Sequence, residues 1–182
     1  MDPSPAEIEE CVGNAHGNLA RVKELIDANP ALLTARAPWN ETPIEAATQM
    51  GHRPLIDFLI ERGAPMDLFT ASVLGDLERV RLELVANPSL AAARGVHDLP
   101  ALYFAAIGGS LDVAELLLRS GAGVNDHAEA AAPLHGAVMG GSADMVRWLL
   151  DHGADPALPD YKGRGARQLA EDMGRQDLAR LI

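Results

Sequence analysis

Apolar residues recur along the chain in blocks whose spacing is helical. Leu55, Ile56, Phe58, Leu59 and Ile60 form one such block, which a 3.6-residue turn gathers onto one face of a helix. Ahead of it stands a shorter, alanine-rich block from Ile44 to Met50 that stops at Gly51. A glycine there can take the positive φ that ends a helix. Gly63 closes the longer block, and Gly121 and Gly153 close two others like it. The pattern predicts pairs of helices, one short and one longer, joined by turn-rich connections such as ADPALPDYKGRG.

The pattern is periodic. GHRPLIDFLIERGAPMD (51–67), GSLDVAELLLRSGAGVN (109–125) and GSADMVRWLLDHGADPA (141–157) superimpose without gaps. GNLARVKELIDANPALLTAR (17–36) and GDLERVRLELVANPSLAAAR (75–94) match each other, and GRQDLARLI (174–182) is a truncated copy. The leading glycines, Gly17, Gly51, Gly75, Gly109, Gly141 and Gly174, lie 34, 24, 34, 32 and 33 residues apart. Two helices of this size cannot bury their apolar faces alone, so consecutive units must stack. Asn29-Pro30 and Asn87-Pro88 should each end a second helix early, because proline disfavours helical geometry in the residue before it. Ser4-Pro5-Ala6-Glu7 reads as a capping box ahead of Ile8, Cys11 and Val12. Gln168, Glu171, Asp172, Arg175 and Asp177 supply a polar outer face for a minimal C-terminal cap.

APLHGAVMGGSADMVRWLLDHGADP (132–156) and TPIEAATQMGHRPLIDFLIERGAP (42–65) resemble the ankyrin-repeat family, whose marks are a Thr-Pro-Leu-His helix start and a Gly-Ala-Asp helix end. The resemblance spans nearly the whole chain. It implies an all-α ankyrin-repeat solenoid of stacked helix-turn-helix units with short β-hairpin fingers. Residues 1–182 then form a single domain with repeats at 4–36, 37–67, 68–94, 95–125, 126–157 and 158–182. Against that pattern the 24-residue interval is about ten residues short, so the finger of the third repeat is missing. Fingers remain on either side, with tips near Pro38-Trp39-Asn40-Glu41 and Val96-His97-Asp98-Leu99, and the row of fingers should carry a notch.

The two positions before each leading glycine should face the concave side. They hold Ala15 and His16, Gln49 and Met50, Val73 and Leu74, Ile107 and Gly108, Met139 and Gly140, Asp172 and Met173. Exposed together, Met50, Val73, Leu74, Ile107 and Met139 would form an apolar patch of the kind that marks a binding site. The place of the family's motif histidine is taken by Cys11, Glu45, Phe69, Tyr103, His135 and Gln168. The resemblance implies that His135 holds the next finger by hydrogen bonds. Glu45 and Tyr103 depart from the motif, and both a structural and a ligand-contacting role stay open for them.

Composition narrows the function classes. The formal net charge of −11 argues against nucleic acid or an anionic membrane as principal partner. No apolar run approaches a transmembrane length, and the start lacks the basic residues of a signal peptide. A single cysteine, Cys11, points to a reducing cytoplasm, and 13 arginines against 2 lysines point to a GC-rich bacterial genome. His16, His52, His97, His127, His135 and His152 have no metal-like spacing, and GGS at 108–110 and 140–142 lies in repeat turns rather than after a strand. No metal and no cofactor are expected.

The leading expectation is a cytosolic, monomeric, non-enzymatic module. It would bind a partner protein, one with an apolar segment and a basic patch, through the concave face and finger tips. Its contacts would be Trp39, Glu41, Met50, Val73, Leu74, His97, Tyr103, Ile107 and Met139, with Trp39 as anchor. The alternative is a protein or enzyme that takes an apolar small molecule at the notch, with Glu45, His97 and Tyr103 as candidate catalytic groups.

Overall fold

Ser4 starts the first helix as its sequence predicts. Its Oγ accepts from Glu7 N at 3.3 Å while Glu7 Oε2 accepts from Ser4 N at 2.7 Å, which completes the capping box. The computed structural model describes residues 2–127 and 129–182. It divides into two units, one ending at Thr70 and the other running from Ala71 to Ile182.

The first unit contains α1 (Pro5–Asn14), α2 (Leu19–Ala28), α3 (Pro43–Gln49) and α4 (Arg53–Glu61). α1 packs on α3. The short inner helix α3 is buried along almost its entire length, which its alanines permit, whereas α4 buries one face through Leu55, Ile56, Phe58 and Leu59. α2 stops at Ala28, as the Asn-Pro pair requires. Asn29 then accepts from Ala31 N at 3.3 Å and starts a 3-10 helix, Pro30–Thr34, that the apolar pattern did not announce. Asn87 repeats the device beyond α6, with Pro88–Ala92.

After α4 the chain has only residues 62–67 before α5 (Leu68–Leu74) begins. Asp67 Oδ1 accepts from Thr70 N at 2.8 Å, so the residue that closes one repeat also caps the next inner helix. No finger stands between them. Thr48 Oγ1 of α3 lies 3.1 Å from Thr70 Oγ1 and ties the first turn of α5 into this unit.

The second unit continues with α6 (Leu77–Ala86), α7 (Ala101–Gly108), α8 (Leu111–Arg119), α9 (Pro133–Gly140), α10 (Ala143–Asp151), α11 (Ala166–Asp172) and α12 (Gln176–Ala179). The inner helices stack α7 on α9 and α9 on α11, and the outer helices α6 on α8 and α10 on α12. Gly109 (φ 73°) and Gly141 (φ 79°) end α7 and α9 in the left-handed conformation the sequence predicts. Stacking is closest just before them. A Cβ on Gly108 would stand 2.3 Å from Val73 O, and one on Gly140 would stand 2.2 Å from Ile107 O. Only glycine fits a backbone approach of that kind.

The expected hairpin fingers are corrected to turns. Among the described residues there is no strand, only one antiparallel bridge between Arg94 and Pro100. Pro38, Pro100, Pro156 and Pro159 withhold the N–H donors that a longer ladder would use. No helix among the described residues is long and apolar enough to cross a membrane.

Candidate binding surface

The first finger is a tight turn over residues 37–41. Ala37 N donates to Glu41 O at 2.8 Å and Asn40 N to Ala37 O at 2.9 Å. Asn40 takes a φ of 67°, which asparagine tolerates better than most residues. Arg36 Nη1 braces the turn by donating to Asn40 O at 2.6 Å. Trp39 projects from the tip and remains 43% exposed. Its indole Nε1 donates to Glu41 Oε2 at 2.8 Å, so the ring is oriented rather than loose.

Glu41 itself is not a surface contact residue. It is fully buried, with Gln49 Nε2 donating to its other oxygen at 2.9 Å. The reason is local: a residue that closes the turn points its side chain inward, onto the ends of α1 and α3. Glu45 is also engaged. Oε2 accepts from Thr42 N at 2.7 Å in a capping box, and Oε1 takes Arg36 Nη2 at 3.0 Å. Met50, at the end of α3, is 40% exposed, as expected.

In the second unit the apolar row is corrected. Val73, Ile107 and Tyr103 are buried, whereas Leu74 and Met139 are half-buried. The close approach at Gly108 and Gly140 explains the burial of Val73 and Ile107, because it covers each with the next inner helix. The Tyr103 hydroxyl donates to Met139 Sδ at 3.4 Å, and burial drives its pKa upward. His97 sits on an exposed tip with φ 54°, followed by Asp98 with φ 59°. Arg94 Nη1 reaches both Asp98 O at 3.0 Å and His127 O at 3.3 Å, linking this finger to the next.

His135 holds the last finger, as the sequence resemblance implies. Ala132 N donates to its Nδ1 at 3.1 Å, which leaves the proton on Nε2 to donate to Arg164 O at 3.1 Å. Burial lowers its pKa and favours that neutral ring. His127 Nε2 adds a bond to Pro159 O at 2.6 Å. Within the finger, Asp160 accepts from Lys162 N at 2.8 Å and from Arg164 Nη2 at 2.6 Å. Burial opposes the Asp160 carboxylate, but the bonds and charge of Arg164 hold its pKa below the usual value.

This scaffold presents Tyr161, which is 71% exposed. The ring borders an open cleft of about 560 Å³ between fingers, lined also by His97, His127 and Glu129. Tyr161 also lines a smaller groove of about 110 Å³ that includes Met139, Leu169 and Met173. Sequence reasoning missed Tyr161. The available signal was Asp160-Tyr161-Lys162-Gly163, a turn whose aspartate turns back onto its own backbone and leaves the next side chain outside. Among the described residues, no three His, Cys, Asp or Glu side chains converge in a way that could hold a metal ion.

A family model described as "Ankyrin repeats (3 copies)" matches residues 68–160. The chain is 36% identical over 124 residues to cyclin-dependent kinase 4 inhibitor B of Rattus norvegicus, an alignment covering 66% of this chain and 92% of that protein. It is 36% identical over 119 residues to cyclin-dependent kinase inhibitor 2A of Homo sapiens, covering 63% and 74% respectively. A further similarity, 34% over 114 residues, is to palmitoyltransferase ZDHHC13 of Homo sapiens; it covers 62% of this chain but only 18% of that longer protein.

Proposed function

This chain belongs to the ankyrin-repeat family, and from that premise we propose that it is a non-enzymatic interaction module that binds a partner protein. The observation that carries the reading is a pair of exposed aromatic rings on braced finger turns, Trp39 in the first unit, oriented by its bond to Glu41, and Tyr161 in the second. Large aromatics held in place lose little entropy on binding and dominate interface energies. Met139 and Met173, beside the Tyr161 cleft, add side chains that adapt to an apolar partner surface. A net charge of −11 favours a partner whose apolar segment is flanked by basic residues. Relatives named as kinase inhibitors support a protein as the partner class. A reducing cytosol suits the buried Cys11, whose thiol is pushed up to about 11 by burial, and the module acts as a monomer.

The small-molecule reading has less support. Both oxygens of Glu45 are already engaged in capping and with Arg36, and Tyr103 is buried against Met139. The test is to capture a partner by crosslinking, purify it, and measure its affinity by calorimetry. Trp39→Ala and Tyr161→Ala should each weaken binding by more than about 2 kcal/mol, the hot-spot threshold. Trp148→Ala, on outer helix α10, should lower stability and leave affinity unchanged. Wild-type affinity in both finger variants, with the fold intact, overturns the assignment of the surface.

A further inference from the structure

We propose that protonation of His16 clamps the first finger, and with it Trp39, through the buried Glu41 carboxylate. Three elements meet at this point: His16 lies just past the Ala15 cap of α1, Glu41 closes the finger, and Gln49 ends α3. Glu41 is fully buried, whereas the His16 side chain keeps 34% of its surface exposed and can exchange protons with solvent.

The hydrogen bonds define the two states of the ring. His16 Nδ1 lies 3.2 Å from Gly13 O, which can only accept, so in the neutral ring the proton sits on Nδ1. Nε2 is then bare and takes the Gln49 amide donor at 2.7 Å. The same Nε2 stands 3.4 Å from Glu41 Oε2, the oxygen that receives the Trp39 indole. In the neutral state that approach sets one lone pair against another. A proton on Nε2 converts it into a charge-assisted contact with a carboxylate shut away from water, where such a contact is strongest. Gln49 Nε2 then gives up its contact with the ring and keeps its bond to Glu41 Oε1, 2.9 Å away.

The surroundings give the proton its sign. The hydrogen bond to Glu41 raises the His16 pKa above its ordinary 6.5, partial burial works the other way, and the Glu41 charge and the carbonyls of Gly13 and Val12 raise it further. The neighbouring elements add little competing charge. On α2, Arg21 is engaged by Glu10 and Glu24, and on α3, Glu45 is engaged by Arg36. From the start of α4, the His52 ring comes against Gly17, its Cδ2 3.8 Å from where a Cβ would stand. A raised pKa in the folded state means the clamp is complete below about pH 6.5 and is lost as pH rises through the folded midpoint.

The consequence for affinity rests on the proposed binding role of Trp39; the clamp does not, and its test needs no partner. The full chain carrying Trp148→Phe has a single indole, whose Nε1–H resonance can be followed by NMR from pH 5.5 to 8.5 together with the His16 ring protons. His16 should titrate with a midpoint above 6.5, and the Trp39 resonance should follow the same curve. Glu41→Gln removes the first cause of that raised midpoint and should lower it. His16→Gln, at a half-exposed position, should abolish the Trp39 titration while the finger stays folded. A His16 midpoint at or below 6.5, or a Trp39 resonance that titrates equally in His16→Gln, overturns the proposal. A flat titration would leave the calorimetric result for Trp39→Ala standing, and the reverse also holds.

Discussion

Leu117 and Leu149 occupy equivalent places in α8 and α10, and neither retains any exposed surface. Replacing either by alanine removes buried methyl groups and leaves a cavity that the flanking helices cannot fill. Leu117→Ala and Leu149→Ala should each cost about 2–5 kcal/mol, read as a lowered midpoint in equilibrium urea denaturation. These leucines were legible from helical spacing alone. The exposure of single side chains was legible only where it did not depend on the neighbouring helix. Trp39 and Met50 stand outside, as expected, because one is on a turn tip and the other at a helix end. Val73 and Ile107 were misplaced, since neighbouring positions on a helix point about 100° apart and the glycine that covers them lies in another repeat. Glu41 was misplaced for a related reason: the direction of its side chain is set by Gln49 and Trp39, and no periodicity records that.

The outer helices α2, α6, α8 and α10 share one way of starting, which α4 and the short α12 lack. Asn18, Asp76, Ser110 and Ser142 each accept a hydrogen bond from the backbone N–H three residues on. α4 begins instead at His52, which makes no such bond and whose Nδ1 is buried without a partner among the described residues. Leu55 N donates to His52 O at 3.0 Å, so His52→Ser would add a side-chain acceptor and remove the buried ring nitrogen; stability should rise by about 0.5–1 kcal/mol, measurable by urea denaturation. Helices were the most legible level of this chain, because glycine and proline mark their ends physically. The 3-10 helices after Asn29 and Asn87 were not legible. A five-residue segment such as PALLT or PSLAA has too few positions to show a period, and its geometry depends on the asparagine side chain. Finger structure was legible as turns but not as the absence of a ladder, which follows from where prolines fall between two closing residues.

Taken over the whole molecule, two histidines oppose each other in the dependence of stability on pH. The His135 pKa is lowered, mainly by burial, so the unfolded chain binds its proton more readily and stability falls as pH drops below about 6.5. The His16 pKa is raised, chiefly by Glu41, so its contribution is present below about 6.5 and falls away as pH climbs through the folded midpoint. Together they favour a maximum near pH 6.5 within the range from 5 to 8.5. Urea denaturation across that range should show the alkaline decline in the wild type and lose it in His16→Gln. An equal decline in both proteins would exclude His16 as its source.

The glycine contacts between inner helices have an evolutionary meaning. Gly108 meets the carbonyl of Val73, and Gly140 meets that of Ile107, one unit further along. The interface is written in main-chain atoms, which every repeat possesses whatever its side chains. Gly109 and Gly141 are 32 residues apart, so an in-frame copy of 109–140 would bring its own glycine against a carbonyl already in place, that of Met139. A gene built this way can lengthen by tandem duplication in one event. The new segment inherits a fitted neighbour before any of its side chains has diverged, and the fingers are then free to vary.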